Sequence, residues 1–524
     1  MRRKILFITT DQQRYDALGC NGGTIARTPV IDRLAASGIN YRRAHNQNVV
    51  CMPARSTMLT GQYVRTHGVY ANGVALPVDA PSVAAVLQSA GYRTALIGKA
   101  HFEPAMDMRG KWFENRMARE GSTGPHRGFD HLELAMHGPV GFWHYSFWLQ
   151  QRFPDETAGF APLLSAKAGG ETGAPEVAYN PIPREHYHTD WVADRTIGWL
   201  DSLDPSDDWF CWMSFPDPHH PWDPPASEKH RVRWRDLDLP PGHPGSREKI
   251  VEVLRQKPRH WLEWYEGRFR NNEGGPVTFV PHALTHDQVR EVNALVHIEN
   301  ELIDEACGRV LARITERGWE RDTDVFFTTD HGELQGDFGL LYKGPYHVDS
   351  LMRIPLVWRP APSAGEAPAE IAEPVGQLDL APTFCVIAGV PVPAWIEGVP
   401  LPTAPGSGRE RVITEWDGQF KQPGMHLRTI YRDGLVCTVY EPSTTDHGWD
   451  LARLYRAMGV DLPLPDIRYD GSEGELYDLR HDPLQWRNLW DDPGYAKRKS
   501  DLVADLYDHL PRPREPQLPV EAPA

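Results

Sequence analysis

The chain has 524 residues, with 55 Lys and Arg against 71 Asp and Glu, for a formal net charge of −16. Its length excludes a small disulfide-stapled scaffold, and its 40% hydrophobic and 24% charged residues exclude wholesale disorder. The acidic balance argues against nucleic-acid binding, which relies on Lys and Arg neutralising phosphates, and disfavours long-range attraction of anionic substrates.

The first apolar run, residues 5–10, reads as a strand ending in Asp11. The preceding residues are basic, but Asp11 and Arg14 interrupt too early for a signal peptide. No run approaches the roughly 20 apolar residues that span a bilayer. The expectation is a cytoplasmic protein with no membrane partner. Thr28-Pro29 reads as N-cap and first turn of a helix carrying Val30, Ile31, Leu34 and Ala35, stopped by Gly38. In the segment 51–61, Pro53 suits a first helical turn and Gly61 a helix end. Cys51 therefore stands at a helix N-terminus, where free N–H groups and the helix dipole favour an anion and depress a thiol pKa. Arg55, one turn on, can point back to the same spot. Pro81-Ser82 opens a helix over 83–90. A second apolar run, 92–98, leads to Lys99 and His101, and a third, 209–215, to Asp217-Pro218-His219-His220.

Residues 102–190 and 221–281 dissolve into Gly, Pro and aromatics and read as irregular insertions shaping a pocket. The longest helical pattern, 286–317, repeats apolar residues from Val289 to Ile314 near the 3.6 period. A fourth apolar run, 325–329, ends in Asp330-His331. From Trp416 the texture changes, and 429–439 reads as a hairpin around Asp433-Gly434. The expected division is a catalytic α/β unit over 1–415 and a C-terminal subdomain over 416–524. The latter would hold an antiparallel sheet and an extended tail, available to contact a second copy in a homo-oligomer.

Near-continuous apolar runs fit strands buried on both faces of a parallel sheet, and their alternation with helices argues for an α/β sandwich. Such sheets bind ligands beyond the carboxyl ends of their strands, where all four runs place chemically capable side chains. Asp11 and Asp330 would repel one another there unless a cation joined them. Either alone reads as a helix N-cap; both together point to a divalent metal. Oxygen ligation suits Ca²⁺, Mg²⁺ or Mn²⁺, and His331 moves the balance towards Mn²⁺. The six cysteines form no C-x-x-C pair and suit a reducing compartment. Cys211, Cys307, Cys385 and Cys437 lie in apolar stretches and read as small buried hydrophobes.

Cys51-Met52-Pro53-Ala54-Arg55, followed by Thr60-Gly61, resembles the C-x-P-x-R and T-G signature of the sulfatase family within the alkaline-phosphatase-like superfamily. Gly98-Lys99-Ala100-His101 resembles the family's G-K-x-H, and Pro218-His219-His220-Pro221 its P-H-x-P. Lys343, before Arg353-Ile354-Pro355, stands like the family's later lysine. Residues 474–479, with Asp482-Pro483 and Asn488-Leu489, look like its C-terminal pattern. The resemblance implies an α/β/α sandwich with a large, mostly parallel central sheet and a smaller C-terminal α+β subdomain. It implies that Cys51 is converted to formylglycine by a maturation machinery and that the aldehyde hydrate is the nucleophile. It also implies one divalent ion, Ca²⁺ or Mn²⁺, on Asp11, Asp330, His331 and the residue formed from Cys51.

Gln12 stands where the family often has a second acid. Its amide oxygen can join the metal set, but the site loses one negative charge. Many sulfatases have Asn where His331 stands. Both departures resemble the branch of phosphonate monoester hydrolases and choline sulfatases, in which Asn72 matches a polar substrate contact. The catalytic set implied is Cys51, Arg55, Lys99, His101, His219 and Lys343, with Asn72, Lys99, His219 and Lys343 holding the substrate. His67, His220 and His347 read as structural. The implied substrate is a small sulfate monoester; phosphonate monoesters and phosphodiesters are the alternative.

Overall fold

The computed structural model describes all residues except 1, 106–109, 166–168, 269–275, 277–278, 419–423, 445–448, 451–452, 454–455, 458, 460–466 and 523–524. Parts of the two expected insertions thus lie outside the described residues. The strands are β1 (Lys4–Thr10), β2 (Ile39–His45), β3 (Arg93–Gly98), β4 (His131–Leu134), β5 (Trp209–Ser214), β6 (Thr323–Thr329), β7 (Arg353–Ile354), β8 (Leu356–Arg359), β9 (Ala369–Gly376), β10 (Arg411–Asp417), β11 (His426–Arg432), β12 (Leu435–Glu441) and β13 (Gly474–Asp478). The first nine form one sheet in the order β4-β3-β5-β1-β6-β8-β2-β7, with β9 also on β2. From β4 to β6 the strands are parallel; β8 runs antiparallel to β6 and β2.

The period of two sorts β1 between two cores. Ile5 and Phe7 face one side, with Phe210, Trp212, Phe326 and Phe384. Leu6 and Ile8 face the other, with Cys211, Met213, Val325 and Phe327. Helices Cys51–Thr60, Val83–Ser89 and Leu380–Ala388 supply the first core. Helices Pro29–Ser37, His188–Asp201 and His286–Glu316 supply the second. Strands covered on both faces need apolar side chains at every position, which is why these runs do not alternate.

Register places the site. Thr10 lies opposite Thr329, and Thr9 and Gly98 both lie opposite Ser214. The chain therefore leaves β1, β3, β5 and β6 at one level, delivering Asp11, Lys99 and Asp330 to one edge and leading from β5 toward His219.

The second sheet, β10-β11-β12-β13, is antiparallel. Asp433 and Gly434, at φ 51° and 74°, make its expected two-residue turn. The expected boundary at 415 and 416 falls within β10, so this sheet takes in residues from 411. One face packs beneath helix Ala496–His509 through Leu502 and Leu506. The other packs Leu427, Tyr431 and Tyr477 with Leu340, Tyr342 and Tyr346, which flank Lys343. The final segment runs extended over the chain itself: Arg514 N donates to Arg65 O (2.8 Å) and Glu521 N to Gly73 O (2.8 Å). Among the described residues no helix is long and apolar enough to cross a membrane.

Lys257 ties the second insertion to the antiparallel sheet. Its buried Nζ donates to Tyr477 Oη (2.6 Å) and Gln485 O (2.8 Å), among the rings of Trp261, Phe338 and Tyr477 at 4.6, 4.5 and 4.4 Å. Burial pushes this ammonium down to about 8. Between about pH 8 and about 10.4 the unfolded lysine stays protonated while the folded one does not, so stability rises with pH. Relative to Lys257→Met, the wild-type unfolding free energy should gain on the order of 3 kcal/mol across that window. Parallel pH profiles in chemical denaturation would contradict this.

Candidate active site

Cys51 is the first residue of the helix Cys51–Thr60, and every residue of that helix is buried. Val50 provides no side-chain cap. Asn72 does so from another loop, its Oδ1 accepting from Met52 N (3.0 Å). Gly61, at φ 65°, closes the helix with its N–H on Thr57 O (2.7 Å).

Around Cys51 stand the ends of β1 and β6. The ligating atoms of Asp11, Cys51, Asp330 and His331 lie within 4.8 Å of one another, and all four residues are buried. Cys51 Sγ is 3.2 Å from His331 Nε2 and 3.6 Å from Asp11 Oδ1. The other ring nitrogen of His331, Nδ1, donates to Gly332 O (2.9 Å), which fixes the tautomer and turns Nε2 inward. Asp330 Oδ1 accepts from Gln12 N (3.0 Å) and His331 N (2.9 Å). Gln377, which the sequence reading did not pick out, donates from Nε2 to the carbonyls of Thr329 (2.9 Å) and Asp330 (2.7 Å).

Arg55 lies across both acids, with Nε on Asp330 Oδ2 (2.9 Å) and Nη2 on Asp11 Oδ2 (3.3 Å). Its Nη1 donates to Lys99 O and Ser214 Oγ, both at 2.9 Å. Ser214 is a second residue that sequence reasoning missed, being a single hydroxyl at the end of an apolar strand. Lys99 ion-pairs with Asp11 and approaches His137 Nε2 at 3.3 Å. Lys343 Nζ donates to Gln12 Oε1 (2.6 Å) and lies 2.7 Å from His219 Nε2. His219 Nδ1 donates to the carbonyl of His220, which leaves Nε2 as the acceptor. His101 has a left-handed backbone, φ 59°, and neither ring nitrogen has a partner among the described residues. Its loop is pinned by Glu114, which accepts from Phe102 N (3.1 Å).

The structure therefore gathers Asp11, Gln12, Cys51, Arg55, Lys99, Asp330, His331 and Lys343, with His101 and His219 alongside. It also relocates a charge. Gln12 Nε2 donates to Glu333, a buried carboxyl that burial raises to about 7. The acid missing at position 12 thus has a counterpart one layer behind.

Burial disfavours ionisation of Asp11, but Lys99 and Arg55 override it and hold the carboxyl well below its usual range. Burial lowers His331 to about 4, leaving the neutral imidazole that metals bind. Burial, with Lys99 and Arg55, holds His101 well below its ordinary value; burial, with His220 and Lys343, does the same for His219. The expected depression of the Cys51 thiol is not found. Burial and the neighbouring Asp11 push it up to about 12, against the opposing pull of Lys343 and Lys99. As a thiol, Cys51 is a poor nucleophile near neutral pH. Two carboxylates and an inward-facing neutral imidazole nevertheless form a donor set that fits a hard to borderline divalent cation.

The Sulfatase family model matches residues 3–390. The chain belongs to the sulfatase family. It is 25% identical to the uncharacterized sulfatase YidJ of Escherichia coli (strain K12), over 98% of this chain and 88% of that protein. It is 26% identical to the multifunctional alkaline phosphatase superfamily protein PehA of Trinickia caryophylli, over 96% and 94%. Its fold is alkaline-phosphatase-like. The phosphonate monoester hydrolase of Agrobacterium radiobacter superposes with a TM-score of 0.72 at 22% identity, covering 97% of this chain and 95% of that one.

Gln377 holds the backbone on which a metal site at Asp330 and His331 would rest. Outer-shell contacts of this kind are worth about 10- to 100-fold in metal affinity. Gln377→Leu should weaken Mn²⁺ or Ca²⁺ binding by that factor in calorimetric titration, with an unchanged circular dichroism spectrum. Unaltered affinity would show that the strand end holds its shape without this side chain.

Proposed function

We propose that the protein hydrolyses sulfate monoesters through a formylglycine formed from Cys51 by a maturation machinery. The observation that carries this reading is the convergence of Cys51 with Asp11, Asp330, His331 and Arg55 in one buried cluster. One divalent cation, Ca²⁺ or Mn²⁺, held by Asp11, Asp330, His331, residue 51 and the Gln12 amide, would neutralise ester oxygens and acidify the aldehyde hydrate.

The chain's own residues supply the other steps. Lys99, Lys343 and Asn72 hold the ester oxygens. Arg55 fixes the two acids and the residue 51 hydrate against them. One hydroxyl of the hydrate attacks sulfur in line, and the S–O bond to the leaving group breaks. The departing oxygen takes a proton from the Lys343 ammonium, which His219 Nε2 orients as its acceptor across their 2.7 Å contact. His101 then takes the proton of the second hydroxyl; the C–O bond to sulfate breaks, sulfate leaves, and the aldehyde returns. A serine or cysteine has no second hydroxyl and lacks this route.

Gln12 favours a second reading with the same nucleophile. Gln12 and His331 both resemble the branch of phosphonate monoester hydrolases, and phosphonate monoesters and phosphodiesters carry the same single negative charge as a sulfate monoester. The fold shared with a phosphonate monoester hydrolase accommodates it. Six unpaired cysteines support a reducing, cytoplasmic compartment.

Mass spectrometry of the peptide carrying Cys51, from protein made with a maturation enzyme, should show the aldehyde in place of the thiol. On matured enzyme, kcat/KM for aryl sulfates should exceed that for phosphonate monoesters and phosphodiesters, and Cys51→Ala should lower it by about 10⁴-fold or more. Full activity with an unmodified thiol would sink the mechanism; the reverse substrate ranking would select the second reading.

A further inference from the structure

Beyond the residues already given roles, one histidine from an otherwise patternless loop stands inside the site. His137 follows the edge strand β4, and its Nε2 lies 3.3 Å from Lys99 Nζ. Its ring stacks on that of His219, with centroids 4.3 Å apart and planes 21° from parallel. His219 in turn stacks on His220 at 4.0 Å and 25°. The result is two matching pairs. Lys343 reaches His219 Nε2, Lys99 reaches His137 Nε2, and the two imidazoles lie face to face.

We propose that His137 is a positioning residue for Lys99. The proposal rests on the function proposed above, in which Lys99 holds the ester oxygens. An ammonium has three N–H donors and no acceptor. Beside a buried carboxylate alone, Lys99 would be drawn fully onto Asp11. The imidazole Nε2 gives it a second anchor besides Asp11. With one N–H on each, a third is left for an ester oxygen. Because Lys99 can only donate, Nε2 of His137 is the unprotonated nitrogen and Nδ1 carries the proton. Nδ1 has no partner among the described residues, so its N–H remains for a water or a substrate oxygen. Stacking on His219 fixes the plane of the ring.

Three variants separate the acceptor from the stacking surface. Misplacing a substrate-holding group by about 1 Å costs about 100-fold. His137→Ala should lower kcat/KM for aryl sulfates by about 10- to 100-fold, and should weaken binding of inorganic sulfate, measured by calorimetry, in step with the rise in KM. His137→Gln, which restores a neutral acceptor, should recover most of the loss; His137→Phe, which restores only the stack, should not. An Ala variant within about twofold of wild type in sulfate affinity, or a Phe variant as good as Gln, would overturn the proposal. Long-range ¹H–¹⁵N spectra of histidine-labelled wild-type protein test the tautomer without any turnover. An unprotonated, hydrogen-bonded Nε2 on His137 is expected, and an Nε2–H would overturn it. If the wild type turns over neither sulfate nor phosphonate esters, the reading of function fails, while the nitrogen spectrum still decides the role of His137.

Discussion

Two carboxylates buried side by side set the terms for the rest of this molecule. Asp11 and Asp330 are wholly shielded from water at neighbouring strand ends, where unpaired charge would cost several kcal/mol. Arg55 spans them, Lys99 pairs with one, and backbone N–H groups of Gln12 and His331 cover the other. Those partners come from four separate stretches of chain. They meet only because β1, β3, β5 and β6 end at one level and because the helix carrying Cys51 and Arg55 lies over the same edge.

The same constraint explains the chemistry available to Cys51. A cysteine at a helix N-terminus would ordinarily be an activated thiol. Here it is sealed against Asp11, and its thiol is pushed up to about 12. A thiolate is disfavoured there, in keeping with the proposed conversion of residue 51 to an oxygen-bearing group. The constraint also reconciles the acidic chain with an anionic substrate. The net charge of −16 describes the whole sequence, whereas Arg55, Lys99 and Lys343 concentrate positive charge at one point, and the acids among them hold it in place.

Much of this was legible in the sequence. Strands β1, β3, β5 and β6 are buried on both faces and so appear as unbroken apolar runs, and their ends carry the motif residues. The hairpin at Asp433-Gly434 was readable from its turn chemistry. Strand β2 was not: Asn40, Arg42 and Arg43 interrupt it, because it lies toward the far side of the sheet, where polar side chains can reach solvent or ion pairs. Helix His188–Asp201 begins at the very end of the irregular stretch 102–190 and was not picked out, because it opens on His188, Thr189 and Asp190; the first two are spent on Asp217. In the site, residues within short motifs were found, while Ser214, Gln377, Glu333 and His137 were missed. Each of these acts across the fold on a backbone carbonyl, a guanidinium, an amide or an ammonium. Such pairings leave no spacing to read.

The proposed function requires that Asp11, Asp330, His331 and residue 51 share one divalent cation, with the Gln12 amide beside them. Anomalous diffraction from crystals of the matured protein grown with Mn²⁺ tests it most directly. A single peak bonded to those four residues is the predicted result. A cation bound elsewhere, with Asp11 and Asp330 satisfied by Arg55 and Lys99 alone, would contradict it.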